Sequence, residues 1–570
     1  MGKAGAGSRM YVFRDAHRVE RGRDMVQALA LELARLAATA QGTFSRRQRV
    51  LDALVRAGQV EAAFADAAER SPELRAAVRR AARITDALAE ELIDRSPRAT
   101  LPADVESYFG ATAIPELVRV SPHEGFAYYA LHPTSFADLA ARALHSETRA
   151  MAVGIRSIGA TLSAVVAGKL RAQGVLVQRM TVRPAGHPYA RTLALDRASR
   201  ARVQRANDGG STFLVVDEGP GLSGSSFLAV GEALVACGVP STRILFLCSR
   251  AVDPATLIAA DARARWTEFR SLAPLSTACV PSTAGEYLVG DGWRRMVCGQ
   301  PESRWPASWT QLERLKFLSR DRARILKFEG LAWYGAAALA RAVALFEDGW
   351  GPQALDEGDG FVSYPFAGRP LDAGRCSETV LDAMARYCAA RGRLFPASAT
   401  DDGELVAMLR TNVLEEFGAD LPSAWIPAVE RAVLPDARMQ PHEWVESTPG
   451  SLLKVDAVAH GDDHVFPGRT DIAWDLAGAI VEWGLDRNAR DWFLARYRRA
   501  SGDDPRPRIG AFLRAYAIFR MAYCKMAAAA VGPGLELDRF AREYRRYRAL
   551  ACPRILGVPP RRGALERGGE

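Results

Sequence analysis

The chain has no cysteines spaced C-x-x-C: its eight cysteines, in 570 residues, stand singly at 237, 248, 279, 298, 376, 388, 524 and 552. Spread through apolar patterns, they are expected as reduced, mostly buried thiols of a cytoplasmic protein. No apolar run is long enough to span a bilayer, and MGKAGAGSRM lacks the apolar core of a signal peptide, so no membrane partner is expected. No basic run is interleaved with aromatics, so nucleic acid is not expected either. The formal charge of +9 and pI near 9.2 suit phosphate-bearing substrates without demanding them. No repeat of fixed period is present.

What is present is an ordinary globular composition, 48% hydrophobic and 25% charged, long enough for about two to four domains. Residues 1–98 are helical in pattern. Val26, Leu29, Leu33 and Leu36 share one helix face, a second helix runs from about Ser45 to Gly58, and Pro72 restarts another. This region carries no chemistry and is expected to pack or oligomerise, a homodimer being the expected assembly.

Chemistry begins with FLVVDEGPGLSGSSF, residues 213–227. An unalternated apolar strand leads to Asp217 and Glu218, then to a glycine and hydroxyl loop, then to a helix. Such a loop brings N–H groups to a phosphate at a helix start, while the acids must face hydroxyls or a metal. MAVGIRSIG, from Met151 to Gly159, is a second strand–loop–helix unit, with Arg156 and Ser157 at the helix entrance. RPAGHPYAR puts Arg183, His187 and Arg191 on a segment expected to be irregular, able to close over an anion.

Together these loops resemble the type I phosphoribosyltransferases, of the orotate phosphoribosyltransferase kind. The resemblance covers residues 100–265. It implies that Asp217 and Glu218 hold the ribose hydroxyls of phosphoribosyl pyrophosphate (PRPP), and that Gly221, Ser223, Gly224, Ser225 and Ser226 wrap its 5′-phosphate. Arg156, Ser157 and Gly159 would grip the pyrophosphate, and Arg183, His187 and Arg191 would close over the leaving group. Mg2+ would lie at Asp217. The loop GPGLSGSS is about one residue longer than the family's and carries a proline.

After a stretch 266–312 expected as linker or hood, the texture changes again. ARILKFEGLAWYG reads as a strand and a helix, and acids recur at Asp436, Asp456, Asp471 and Asp475. A carboxylate for the nucleophile's proton and another for a metal is what phosphoryl transfer needs. This half resembles the aminoglycoside phosphotransferases and choline kinases, of protein-kinase-like fold. The resemblance implies Asp436 as catalytic base, Asp456 and His442 as metal ligands, and Lys327 as the phosphate-contacting lysine, with ATP as donor. Leu434 stands at the family's histidine position, Pro441 at that of its metal-binding asparagine, and no glycine-rich loop precedes Lys327. A competing arrangement places a transition metal among His442, His460, Asp462, Asp463 and His464.

The expected fold is therefore α/β: a helical region (1–98), a parallel-sheet phosphoribosyltransferase-like domain (99–265), a linker, a two-lobed α+β kinase-like domain (313–552), and a disordered basic tail (553–570). The expected function is transfer of ribose 5-phosphate from PRPP to a base-like acceptor, joined in one chain to a kinase-like half acting on a small molecule. The alternative is a PRPP- or nucleotide-sensing regulator that binds without turnover.

Overall fold

Helical spacing of apolar residues builds the first layer: α1 (Gly22–Ala37), α2 (Phe44–Ala68) and α3 (Arg75–Ile93). This computed structural model describes residues 10–13, 17–40, 42–94, 101–110, 112–144, 146–274, 279–299, 301–366, 368–398, 400–448 and 451–551. The Thr43 hydroxyl caps α2 by accepting the Arg46 N–H. Gly58, expected to end this helix, lies inside it. A Cβ there would sit 1.9 Å from the Thr161 hydroxyl, so the glycine serves a close approach between helices. Ahead of α1, β1 (Arg18–Arg21) pairs antiparallel with β2 (Leu117–Val120). Further back still, Met10 and Val12 are buried in the core of the C-terminal helices. There the Tyr11 N–H donates to Asn412 Oδ1 at 2.7 Å, and Asn412 Nδ2 donates back to the Tyr11 carbonyl at 2.8 Å.

Short helices α4 (Val105–Gly110) and α5 (Glu124–Ala127) and a longer α6 (Pro133–Ala143) lead into the parallel sheet. Its elements follow in order: β3 (Arg149–Ile155), α7 (Gly159–Ala172), β4 (Leu176–Val182), a hairpin of β5 (Ala185–His187) and β6 (Ala190–Thr192), α8 (Arg197–Asp208), β7 (Thr212–Val216), α9 (Ser225–Val235), β8 (Ile244–Leu247), α10 (Ala262–Thr267) and β9 (Arg270–Leu272). Five of the strands form one all-parallel sheet in the order β4-β3-β7-β8-β9. Strand β7 is buried throughout, as a strand covered on both faces must be. The segment RPAGHPYAR, expected to be irregular, forms the β5–β6 hairpin with Gly186 at φ 97°. The helical layer is riveted to the sheet by the buried Arg179, whose guanidinium meets Glu61 at 2.7 and 3.0 Å and Asp86 at 2.7 Å.

The second half opens with β10 (Ala284–Tyr287), α11 (Asp291–Val297), β11 (Lys316–Ser319), β12 (Arg324–Phe328), α12 (Trp333–Glu347), β13 (Leu355–Gly358) and β14 (Phe361–Pro365). Five strands form an antiparallel sheet, β10-β11-β12-β14-β13. A helical lobe follows: α13 (Glu378–Leu394), α14 (Asp402–Phe417), α15 (Ala473–Glu482), α16 (Arg487–Ser501), α17 (Ile509–Ala530) and α18 (Leu535–Ala551). The stretch 266–312 thus supplies the last strand of one sheet and the first of the other. Leu326, Phe328 and Phe361 of the antiparallel sheet share a core with Phe136, Leu214 and Leu247, so the halves are fused by packing. No helix among the described residues is long and apolar enough to cross a membrane. The basic tail and Cys552 lie outside the described residues.

Candidate functional site

In the parallel sheet the chain runs from β3 to β4 on one side and returns through β7 on the other, which makes the β3/β7 boundary a topological switch point. Ligands of open α/β sheets bind there, beyond the carboxyl ends of the strands. The loops leaving β3 and β7 carry Arg156, Ser157 and Gly159, and Asp217 through Ser226. Gly159 lets α7 begin hard against β7, since a Cβ would stand 2.7 Å from the Val216 carbonyl.

The half-buried Asp217 is pushed up to about 7 by desolvation, despite Arg183 and Arg191 nearby. Glu218 is raised by desolvation and by the charges of Glu124 and Asp217, and its Oε2 accepts the Gly125 N–H at 2.5 Å. Gathered carboxylates held partly protonated suit sugar hydroxyls or a cation.

Of the arginines expected for pyrophosphate, Arg156 and Arg183 converge, but acids at the C-terminal end of α2 already hold them. Arg156 pairs with Glu69 and lies 3.0 Å from Asp66. Arg183 meets Asp66 at 2.5 and 3.1 Å and donates to the Arg156 carbonyl at 2.6 Å. Arg191 donates to the Pro184 carbonyl at 3.2 Å, and the exposed His187 accepts the Tyr189 N–H at 3.3 Å. The hairpin rests on the hydroxyl loop: Ser223 and Ser225 donate to the Pro188 carbonyl at 2.8 and 2.6 Å. Gly224, at φ 69°, precedes α9, whose first residues are Ser225 and Ser226.

A second and larger site opens between the antiparallel sheet and the helical lobe, a cavity of about 250 Å³. Lys327, on β12, crosses it to pair with Asp456, and lies 3.2 Å from Glu329, the residue just past that strand. Glu329 Oε1 accepts the Tyr364 hydroxyl at 3.1 Å, whereas its buried Oε2 has no hydrogen-bond partner. Asp456 stands at φ 57°, with His460 Nε2 at 3.6 Å from its Oδ2. Glu443, Asp456 and His460 form a cluster whose ligand atoms lie within 4.8 Å of one another. His442 lies outside that cluster because neighbours in the 3-10 turn Pro441–Glu443 project in different directions. Its ring stacks on Trp293, with centroids 5.3 Å apart, and burial brings it down to about 3.

Asp436 is fully buried behind the cavity wall and does not line it. It accepts from the Tyr387 hydroxyl, and Lys454 covers it at 3.3 Å while meeting Glu443 at 2.9 Å. Asp475 Oδ2 and Oδ1 accept the N–H groups of Asp436 and Ala437, both at 2.9 Å, so α15 fixes this loop. Of the competing metal set, His464 faces Tyr129, whose hydroxyl is 2.9 Å from its Nε2, and Asp463 Oδ1 accepts the N–H groups of Val465 and Phe466.

Lys454 and Glu443 escaped the sequence reading because cross-strand register, with Trp444 opposite Lys454, brings them together. The segment between β10 and β11, where the kinase resemblance calls for a glycine-rich loop, instead folds α11 over the cavity and contributes Trp293 and Trp309 to its lining.

No protein-family model matches the chain, and no curated protein matches it. Among solved structures it is similar to a choline/ethanolamine kinase family protein from Mesorhizobium loti, at 16% identity over 46% of this chain and 98% of that one, with a TM-score of 0.29. It is also similar to the choline kinase LicA from Streptococcus pneumoniae, at 14% identity over 42% and 90% of the two chains, TM-score 0.28. An aminoglycoside phosphotransferase from Alicyclobacillus acidocaldarius matches at 10% identity over 50% and 96%, TM-score 0.27. All three are kinases or phosphotransferases, and the phosphoribosyl reading of the parallel-sheet half draws nothing from them.

Proposed function

We propose that the C-terminal half transfers a phosphoryl group from a nucleoside triphosphate such as ATP to a small molecule bound in the cleft. The observation that carries this is the meeting of Lys327, from the sheet, with Asp456, from the helical lobe, across the cavity. Each lysine lining the cleft is neutralised by an acid: Lys316 by Glu313, Lys327 by Asp456 and Glu329, Lys454 by Asp436 and Glu443. Phosphate oxygens would replace those acids as partners of the lysines. Asp456 and Glu443 would then hold Mg2+, an oxygen-seeking cation, and the unsatisfied Glu329 Oε2 adds to the cleft's capacity for positive charge. Mg2+, when bound, neutralises charge on the phosphate oxygens. Asp436 becomes the base in this scheme once Lys454 swings to a phosphate and uncovers it. His460, whose burial holds it well below its ordinary value, stays neutral within the cluster.

Incubation with ATP, Mg2+ and a panel of small hydroxyl and amino compounds tests the reading. Asp456→Asn should cut ATP consumption by at least 100-fold; an unchanged rate rules the role out.

A second reading concerns the other half: binding of PRPP and transfer of its ribose 5-phosphate to a base-like acceptor. It is supported by Asp217 and Glu218 at the switch point, with Arg183 and Arg191 near Asp217. Asp217 is where Mg2+ would be held. Calorimetry with PRPP on the Asp217→Ala/Glu218→Ala double variant tests it, retained affinity being the contrary result. Binding without pyrophosphate release would favour the sensing role.

A further inference from the structure

At the seam between the halves, three side chains remote in sequence meet away from both sites. His132 caps α6, Cys279 lies between β9 and β10, and Asp359 occupies the β13–β14 turn. A ring nitrogen, the thiol and a carboxylate oxygen all lie within 4.8 Å of one another. His132 is 3% exposed, so its ring cannot be satisfied by bulk water. Nδ1 is held by Thr134, with the hydroxyl at 2.7 Å and the N–H at 3.3 Å. Nε2 is buried and makes no hydrogen bond, and Asp359 Oδ1 stands 3.4 Å from it.

A cysteine–histidine–aspartate nucleophile is the first arrangement to consider. It needs the carboxylate on one ring nitrogen and the thiol on the other. Here the nitrogen away from Asp359 is taken by Thr134, so the thiol and the carboxylate do not hold opposite nitrogens of the ring. What does fit is a cation. In the tautomer with Nδ1–H donating to the Thr134 hydroxyl, the Nε2 lone pair faces the Asp359 carboxylate and a cation between them would serve both; in the other tautomer, with Nδ1 accepting the Thr134 N–H, Nε2–H takes that place. Bonds of about 2.0–2.3 Å at tetrahedral angles put ligand atoms roughly 3.3–3.8 Å apart. The imidazole–carboxylate pair is already at that separation, and the thiol has at most about an ångström to close.

The backbone agrees with a use for these side chains. Asp359 and Cys279 sit at φ 47° and 64°, where glycine would cost less. Arg47 now supplies the positive charge, 3.6 Å from Asp359 Oδ2 and donating to Cys279 Sγ at 3.7 Å. Its side chain is 40% exposed and free to swing into water.

We propose that His132, Cys279 and Asp359 bind a borderline-soft divalent cation of the Zn2+ class, with water or the Thr134 hydroxyl as fourth ligand. The bound ion fastens α6 of the parallel-sheet half to the β13–β14 turn of the antiparallel half. Thiolate with imidazole selects such an ion over Mg2+.

The full chain, stripped with chelator, is titrated with Co2+ while thiolate-to-cobalt charge-transfer absorption is followed, then challenged with Zn2+. One equivalent should bind with that absorption and be displaced by Zn2+. Cys279→Ser should lose the absorption, and Zn2+ should raise the melting temperature of the wild type but not of this variant. Arg47→Ala, which removes the competing guanidinium from an exposed position, should bind Co2+ several-fold more tightly. A wild type without stoichiometric absorption, an undiminished band in Cys279→Ser, or unchanged affinity in Arg47→Ala overturns the assignment. Co2+ bound at Glu443, Asp456 and His460 gives no thiolate band, so the two clusters are distinguished.

Discussion

Asp217 keeps its proton close to neutrality because desolvation outweighs the two arginines near it. Its folded value, about 7, lies above the ordinary 3.8, so the neutral carboxyl is the form that folding favours. Its contribution to stability is present below pH about 4 and lost as pH rises through about 7. Asp217→Asn, which mimics the protonated acid, should match the wild type near pH 3 and exceed it at pH 8. The gain at pH 8 should be roughly 2 kcal/mol, allowing for screening of a half-buried group. Urea unfolding at the two pH values measures this, and a variant no more stable than the wild type at pH 8 contradicts it. The raised values of Asp52, Glu443 and Asp475 act in the same direction, which is why the comparison with the variant is needed.

At the scale of elements, α2 is the unexpected participant. The helical region looked inert in sequence because its acids fall on an ordinary polar face. Only tertiary packing aims Asp66 and Glu69 at Arg156 and Arg183. The ion pairs leave the acids 28% and 53% exposed, so an incoming polyanion competes with carboxylates that water can solvate. Asp66→Asn/Glu69→Gln keeps the shape and removes the charge. It should tighten pyrophosphate binding about tenfold, roughly two surface ion pairs' worth. Calorimetry with pyrophosphate reads this, and unchanged affinity would mean that the arginines serve only to hold α2. Strands β3, β4, β7 and β8 and helix α12 were legible because periodicity and unalternated apolar runs are local signals. The β5–β6 hairpin was not, because Pro and Gly in RPAGHPYAR mask a short pairing that Gly186 makes feasible. Lys327 and Asp456 could be named from their motifs, whereas Glu443 and Lys454 depend on strand register and the burial of Asp436 on packing.

At the scale of the molecule, sequence texture separated the halves but could not reveal that they share a core. Phe136 and Phe361 each read as ordinary buried aromatics, and nothing local says that they belong to the same cluster. The same blindness hid the fate of residues 10–13, whose Met10 and Val12 fill the C-terminal lobe and whose Tyr11 is clasped by Asn412. Removing residues 1–13 should lower the melting temperature by several degrees, since two buried apolar side chains are worth roughly 1.5–3 kcal/mol each. Differential scanning calorimetry tests this, and an unshifted melt refutes it. The clasp also has a consequence for how the chain is made. Synthesis delivers Met10 to Phe13 first and their seat near Asn412 some four hundred residues later. At about 5–20 residues per second, that leaves the segment waiting roughly 20–80 seconds without its partner. The C-terminal lobe therefore cannot finish its core from its own residues: it closes on residues 10–13, made some four hundred residues earlier.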